Sequence, residues 1–308
     1  MRRRRASGGS FFATAVQLIF LCLVAAGAFL AFRIVSAGKF DRFDRFNVVV
    51  SVSPVVFLSA DITEKSVTVV KFPDDLYMTN VYFGYGPYRI SSVYRVGQLD
   101  RRGGETLAGT VREYLGVPVD GYSADGNFDG SKIESLALSP KFLLGGQTNV
   151  GLVDRFRLAA FLLSVRQDKI TIFDLGKWSV PLVLADGSTA RTLDRSDVDN
   201  FLSGDFAEER IRKENLRVEV LNSTGIPGLA NQAARVLENA GITVISVGDT
   251  NLLVSGCQMR VGKGNVGSVT VKRIADVFSC QVSGEQSNTR ADLSVIVGTD
   301  YAKSLGKL

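Results

Sequence analysis

The hydrophobic pattern divides the chain before any single residue is considered. Phe11 to Phe32 is a run of 22 residues without a charge. A hydrocarbon core of about 30 Å takes about 20 apolar residues of helix, so the pattern predicts a membrane-spanning helix over 11–32. Phe40, Phe43 and Phe46 then recur every three residues with Asp–Arg pairs between them. On a helix these rings share a face, either as an interfacial collar on the headgroups or as an extension packed onto the next domain. From Asn47 the pattern becomes that of strands. Residues 47–60 are apolar and β-branched, 61–65 form a polar turn and 66–72 a second strand, which predicts a hairpin closed by Pro73-Asp74-Asp75. The Gly- and Tyr-rich stretch 80–92 reads as a loop. Leu107, Val111 and Leu115, with Tyr114, place one apolar face on a helix over 104–115, stopped by Gly116.

A second amphipathic helix is predicted over 150–166, a strand over 169–173, and a hairpin joining 181–184 to 189–193 through Asp186-Gly187. The mixed charges of 195–214 predict a solvated helix leading to a linker. Beyond a boundary near 215, strands at 217–221, 243–247, 257–261 and 291–297 alternate with helices at 229–240 and 266–278. The first of these helices follows the turn Asn222-Ser223-Thr224-Gly225, with Ser or Thr expected to cap it. That order is βαββαβ, a ferredoxin-like arrangement. The fold class expected is therefore α/β (α+β) behind an N-terminal transmembrane helix.

Charge sets the orientation. Lys+Arg number 36 and Asp+Glu 31, but Arg2 to Arg5 supply four of the positives, leaving 32 against 31. The basic excess is thus one terminal cluster and argues for no nucleic-acid partner, which would require a basic folded face. Placed before the apolar run, the cluster predicts a cytoplasmic tail (1–10), a span (11–32), a juxtamembrane segment (33–46) and extracytoplasmic domains beyond. A cleaved signal peptide is the competing reading; its apolar core would be shorter, about 7–15 residues.

There is no histidine, which excludes Ser-His-Asp and Cys-His catalysis and His-ligated zinc. Three cysteines, Cys22, Cys257 and Cys280, are too few for a Cys₄ zinc site. In βαββαβ the third strand and second helix run in opposite directions, so the start of one and the end of the other share an edge. Cys257 and Cys280 occupy those positions, and an oxidising compartment lets them bond. A disulfide is expected, with Cα atoms within about 7 Å; two buried thiols are the alternative.

Two stretches carry a family resemblance. Residues 218–244, VEVLNSTGIPGLANQAARVLENAGITV, resemble the opening of the LytR C-terminal domain, with its V-x-V-L-N-x-T-G turn, G-L-A helix start and Gly before a Val-rich strand. Upstream, Phe72-Pro73-Asp74-Asp75, then Arg89-Ile90-Ser91-Ser92-Val93-Tyr94, then Leu115-Gly116-Val117-Pro118-Val119-Asp120-Gly121-Tyr122 resemble in order and spacing the I-P-R-D, K-I-N-x-A-Y and L-G-I-P-V-D-Y-Y motifs of the LytR-CpsA-Psr (LCP) family. The resemblance implies a diverged LCP-like α/β domain over 47–214 and a LytR C-terminal domain over 215–308. It also implies the family's activity: transfer of glycopolymers from polyprenyl-pyrophosphate carriers to the cell wall, using arginines and Mg²⁺-binding aspartates.

The departures fall on that chemistry. The family's D-x-R has no counterpart in Val56 to Asp61, and Asp74 stands where the family has Arg. A pyrophosphate needs positive charge, best supplied by the arginine fork, and an Arg-to-Asp exchange changes the local charge by two units. Asp75, Arg89, Arg101 and Arg102 remain as candidate ligand-binding residues. No residue stands out as catalytic or as a metal ligand, and Mg²⁺ is expected only if the site is active. For Arg101 and Arg102, plain solvated loop charge is the favoured account. Tyr77, Tyr82, Tyr85, Tyr88 and Tyr94 offer rings for sugars or a lipid tail, against simple loop packing. The function expected is a membrane-anchored, extracytoplasmic envelope protein without catalysis. It would bind or position wall glycopolymer, polyprenyl phosphate lipid or envelope proteins. An active glycopolymer phosphotransferase is the alternative.

Overall fold

A computed structural model describes residues 38–129 (backbone alone at 125–129), 146–202, 204–285 and 290–308, with isolated helical positions at 17, 20–22, 24 and 27. The expected span 11–32 therefore lies almost entirely outside the described residues. Among the described residues no helix is long and apolar enough to cross a membrane. The chain forms two compact units, one ending at Lys39 and one running from Phe40 to Leu308.

The second unit contains two sheets. In the first, β1 (Arg45–Ser53), β2 (Val56–Asp61) and β3 (Ser66–Lys71) form an antiparallel meander. Two strands was the expectation for 47–72. Pro54 has no N–H for a ladder, and the chain turns there, so 47–60 becomes two strands. β6 (Gly121–Asp129) runs parallel to β1 and β8 (Ile170–Asp174) parallel to β3, with β7 (Gln147–Thr148) at the edge, giving the order β7-β6-β1-β2-β3-β8.

Alternate side chains leave opposite faces of a strand, and here both faces are covered. Val49, Phe57 and Val70 pack with Val93, Leu107 and Val111 of α1 (Ile90–Gln98) and α2 (Gly103–Leu115). Val48, Leu58 and Val67 pack with Leu158 and Leu162 of α3 (Leu152–Ser164). The stretch 80–92, read as a loop, contains the end of β4 (Tyr77–Val81), a one-turn helix at Tyr82–Gly84, β5 (Gly86–Arg89) and the start of α1. The expected hairpin is present as β9 (Val180–Val183) and β10 (Thr189–Thr192).

Phe40, Phe43 and Phe46 are all buried, and Phe46 already belongs to β1. The rings pack onto the domain as the second reading expected, but not on a helix, since 40–44 form turns and bends and Phe46 lies in a strand. The charged stretch 195–214 is likewise not a solvated helix. It forms α4 (Arg195–Leu202) and α5 (Glu209–Glu214), and Val198, Phe206, Glu208 and Ile211 between or within them are buried. The charges tolerate this because they meet partners from distant parts of the chain, described below.

The second sheet comprises β11 (Arg217–Asn222), β12 (Thr243–Asp249), β13 (Gln258–Val261), β14 (Gln281–Glu285) and β15 (Leu293–Val297) in the order β12-β11-β15-β13-β14. Helices α6 (Leu229–Asn239) and α7 (Val269–Phe278) cross between strands, and α8 (Thr299–Ser304) closes the chain. This corrects the ferredoxin-like expectation. β11 bonds directly and in parallel to β12, and β13 directly and in parallel to β14, so there are two βαβ units rather than a split one. β15 joins them, parallel to β11 and antiparallel to β13. β14 escaped the sequence reading because all five of its residues are exposed, which leaves no alternation to detect. α6 is also not capped by Ser223 or Thr224. Gly228, at φ 76°, holds the N-cap position, while Thr224 bonds back to the Asn222 side chain. The Cys257–Cys280 disulfide is present as expected, with Cα atoms 4.4 Å apart.

Candidate functional site

Of the expected anion site, Asp75 and Arg89 lie with Asp74 at one end of the first sheet. The Asp74 carboxylate accepts a hydrogen bond from the Ser53 hydroxyl at 2.5 Å. Arg89, the last residue of β5, turns its fork onto the β9–β10 hairpin, donating to the Thr189 carbonyl at 2.9 Å and the Ser188 hydroxyl at 3.3 Å. Asp75 lends its carbonyl to the backbone N–H of Arg191 at 3.0 Å. Arg191, which the sequence did not single out, donates from Nε to the Ser179 hydroxyl at 2.7 Å and from Nη2 to the carbonyls of Gly176 and Ser179 at 2.8 and 2.9 Å. A lone arginine between Ala190 and Thr192 carries no signal of this. Arg89 Nη2 and the Arg191 guanidinium therefore brace the β9–β10 hairpin and the turn before it, while Arg89 Nε is buried without a hydrogen-bond partner.

Arg101 and Arg102 do not join this group. They sit in the turn between α1 and α2, where the Arg102 guanidinium lies 5.1 Å over the Phe83 ring and lines a cavity against Lys303 and Ser304. Among the described residues no group of three His, Cys, Asp or Glu side chains is placed to hold a metal.

The densest chemistry lies instead between the two sheets. An α-helix ends with four carbonyls lacking intrahelical partners, and those of α2 are capped from α6. Arg235 donates to the carbonyls of Glu113 and Tyr114 at 2.9 and 3.0 Å, and Asn239 to that of Gly116 at 3.0 Å. The same arginine forks onto Asp199 of α4, with contacts of 2.6–3.0 Å. A cation at a helix C-terminus also complements the macrodipole. Gly116 is required here twice over: it holds φ 67°, and a Cβ on it would lie 2.6 Å from the Arg235 Cζ.

Beside this cap, Arg112 is sandwiched between the rings of Tyr82 and Phe278, at 5.1 and 5.7 Å. It donates to the Tyr82 hydroxyl and the Val277 carbonyl, both at 3.0 Å, and pairs with Glu113 at 2.8 Å. Burial is the strongest single influence and works against its charge, but Glu113, Tyr82 and Tyr301 together outweigh it and hold the guanidinium above its ordinary value. Glu113 accepts in turn from Gln232 and from the Tyr301 hydroxyl, both at 2.9 Å. Burial, with Glu113 adding, pushes the Tyr301 hydroxyl well up.

A second buried cluster joins β1 to α7. Arg273 is 1% exposed. It bonds the Asp120 carboxylate, lies 4.4 Å over the Phe43 ring, and pairs with Glu208 at 2.6 Å without an aligned hydrogen bond. Glu208 also accepts from the Asp44 backbone N–H at 3.2 Å. Burial dominates Glu208 and, against the pull of Arg273, pushes its carboxyl up to about 7. Asp44 bonds Arg210, and Glu214 caps α7 by accepting from the N–H groups of Val269 and Thr270 at 2.7 and 2.8 Å.

Residues 215–301 match the family described as LytR cell envelope-related transcriptional attenuator (LytR_C), so the second sheet and its helices form a LytR C-terminal domain. No curated protein matches the chain. Solved structures similar to it include a LytR-CPS2A-psr family protein, YwtF (TagT), with bound octaprenyl pyrophosphate lipid. That match is 16% identical with a TM-score of 0.41 and covers 53% of this chain and 92% of that one. TagV of B. subtilis is 12% identical with a TM-score of 0.39, covering 51% and 94%. The Lin1025 protein of Listeria innocua is 14% identical with a TM-score of 0.37, again covering 51% and 94%.

Proposed function

We propose that this chain is an envelope protein, anchored by residues 11–32 with its folded part outside the cell, that binds or positions wall polymers or assembly partners and does not transfer them. The observation that carries the reading is the commitment of charge at the end of the first sheet. Asp74 stands where the family resemblance calls for an arginine, Arg89 donates through Nη2 to Thr189 and Ser188, and Arg191 donates to Gly176 and Ser179. Each charge-assisted contact to a buried anion is worth about 1.5–3 kcal/mol, so two lost contacts weaken pyrophosphate binding about a hundredfold or more.

The test incubates the detergent-solubilised full chain with a polyprenyl-pyrophosphate-linked sugar, Mg²⁺ and wall acceptor. The expected result is no transfer above background. Transfer abolished by Asp75→Ala or Arg89→Ala would establish the competing phosphotransferase instead. A reporter active only outside the cytoplasm, fused after Leu308, is expected to be active; a signal from a cytoplasm-only reporter at that position would refute the topology.

A further inference from the structure

We propose that the cleft between the Tyr82–Gly84 turn and helices α7 and α8 binds an uncharged saccharide, which deepens the polymer-binding reading above and rests on it. The cleft has two adjoining lobes. One, of about 360 Å³, is walled by the rings of Tyr82, Phe83, Phe278 and Tyr301. The other, of about 400 Å³, carries Tyr85 and the charged side chains Asp100, Arg102 and Lys303. Phe83, Asp300 and Ser304 border both lobes, so the two form one groove. Each lobe alone reaches the size of small-ligand sites, about 300–1,000 Å³.

Phe83 marks the centre of this groove. Its backbone sits at φ 69°, ψ 15°, a conformation that a bulky side chain adopts only where the surroundings impose it. The imposing contact is visible: Gly84 packs against Gly306 at the end of α8, and a Cβ on either would meet the Cα of the other at 2.7–3.0 Å. Docking of the two sheets thus holds the Phe83 ring at the junction, its centroid 4.6 Å from that of Tyr82 and 5.1 Å from the Arg102 guanidinium. Strain of this kind clusters at ligand-holding positions.

The ligand class follows from the charges. Asp100 and Asp300 face Arg102 and Lys303, and the buried Arg112 is neutralised by Glu113. A balanced rim gives no net field to draw in a pyrophosphate or a basic peptide. Aromatic faces beside planar carboxylate and guanidinium groups suit a ligand that is apolar on its ring faces and rich in hydroxyls at its edges. A sugar ring is such a ligand, and two adjoining lobes suit a short chain of rings.

The test titrates chitotriose and maltotriose, with sodium pyrophosphate as the charged comparison, into the detergent-solubilised full chain by saturation-transfer NMR. Saturable binding of either saccharide at millimolar concentration or below is expected. Phe83→Gly removes the ring at a position whose φ suits glycine, so its thermal midpoint should stay the same or rise while affinity drops about tenfold, a loss of about 1.4 kcal/mol. Binding of neither saccharide, equal affinity in Phe83→Gly, or saccharide binding displaced by pyrophosphate each overturns the assignment. Co-sedimentation with isolated wall material separates the two levels. Sedimentation that persists unchanged in Phe83→Gly removes this cleft and leaves the polymer-binding function standing; no sedimentation of the wild-type chain removes both.

Discussion

Replacing Arg235 by alanine removes a side chain of α6 that bonds both α2 and α4. Its loss leaves the carbonyls of Glu113 and Tyr114 without the donors that cap them. An acceptor stranded at a buried interface costs about 1–3 kcal/mol. The ion pair to Asp199 adds little, because Asp199 is 37% exposed and such pairs are worth about 0–1 kcal/mol. Asn239 still holds the Gly116 carbonyl, which limits the damage. The net expectation is about 3–4 kcal/mol, a large part of the roughly 5–15 kcal/mol that stabilises a typical native protein. For a folded unit of this size the thermal midpoint moves about 2–4 °C per kcal/mol, so a fall of about 6–16 °C is expected by circular dichroism. The single transition of the wild type should also broaden or split as the two sheets uncouple. Arg235→Lys keeps the charge but not the fork and should recover little of the loss. A midpoint within 2 °C of wild type, roughly 1 kcal/mol or less, with an unsplit transition would show that α2 does not depend on this cap.

Glu208 should make stability depend on pH in an unusual direction. Its folded-state value of about 7 lies above the ordinary 4.5, so the folded state binds the extra proton and stability falls as pH rises from about 4.5 through 7. Denaturant unfolding of wild type and Glu208→Gln from pH 5 to 8 should show their difference drifting by about 2–3 kcal/mol in favour of the glutamine protein at high pH; a constant difference refutes it. The disulfide closes a loop with a sequence separation of 23, and the chain-entropy relation assigns it about 3 kcal/mol. Alkylation after denaturation without reductant should label only Cys22, the exposed free thiol, while labelling of Cys257 and Cys280 would show that they remain thiols.

The local elements of this protein are legible in its sequence because their causes are local. The apolar stripe of Leu107, Val111 and Leu115 and the stop at Gly116 define α2 to within a residue. Asp186-Gly187 places the β9–β10 hairpin, and the alternation of 217–297 yields four of the five strands of the second sheet, missing only the fully exposed β14. The disulfide follows from the antiparallel run of β13 and α7, a relation that survived the wrong topology around it. What a stripe of apolar residues does not encode is which neighbour covers it. Whether β12 pairs with β11 or stands one strand away changes no residue's periodicity, so the ferredoxin-like order and the observed one look alike along the chain. Charge is less legible still. The stretch 205–214 has the composition of a solvated surface, yet Glu208 is buried because Arg273 reaches it, and Arg273 is buried because Asp120, 153 residues away, completes its pairing. The same holds for Arg89, a candidate anion ligand in the sequence that in the fold donates through Nη2 to the Thr189 carbonyl and the Ser188 hydroxyl. A charged side chain takes its meaning from partners within a few ångströms, and in this chain the third dimension supplies nearly all of them.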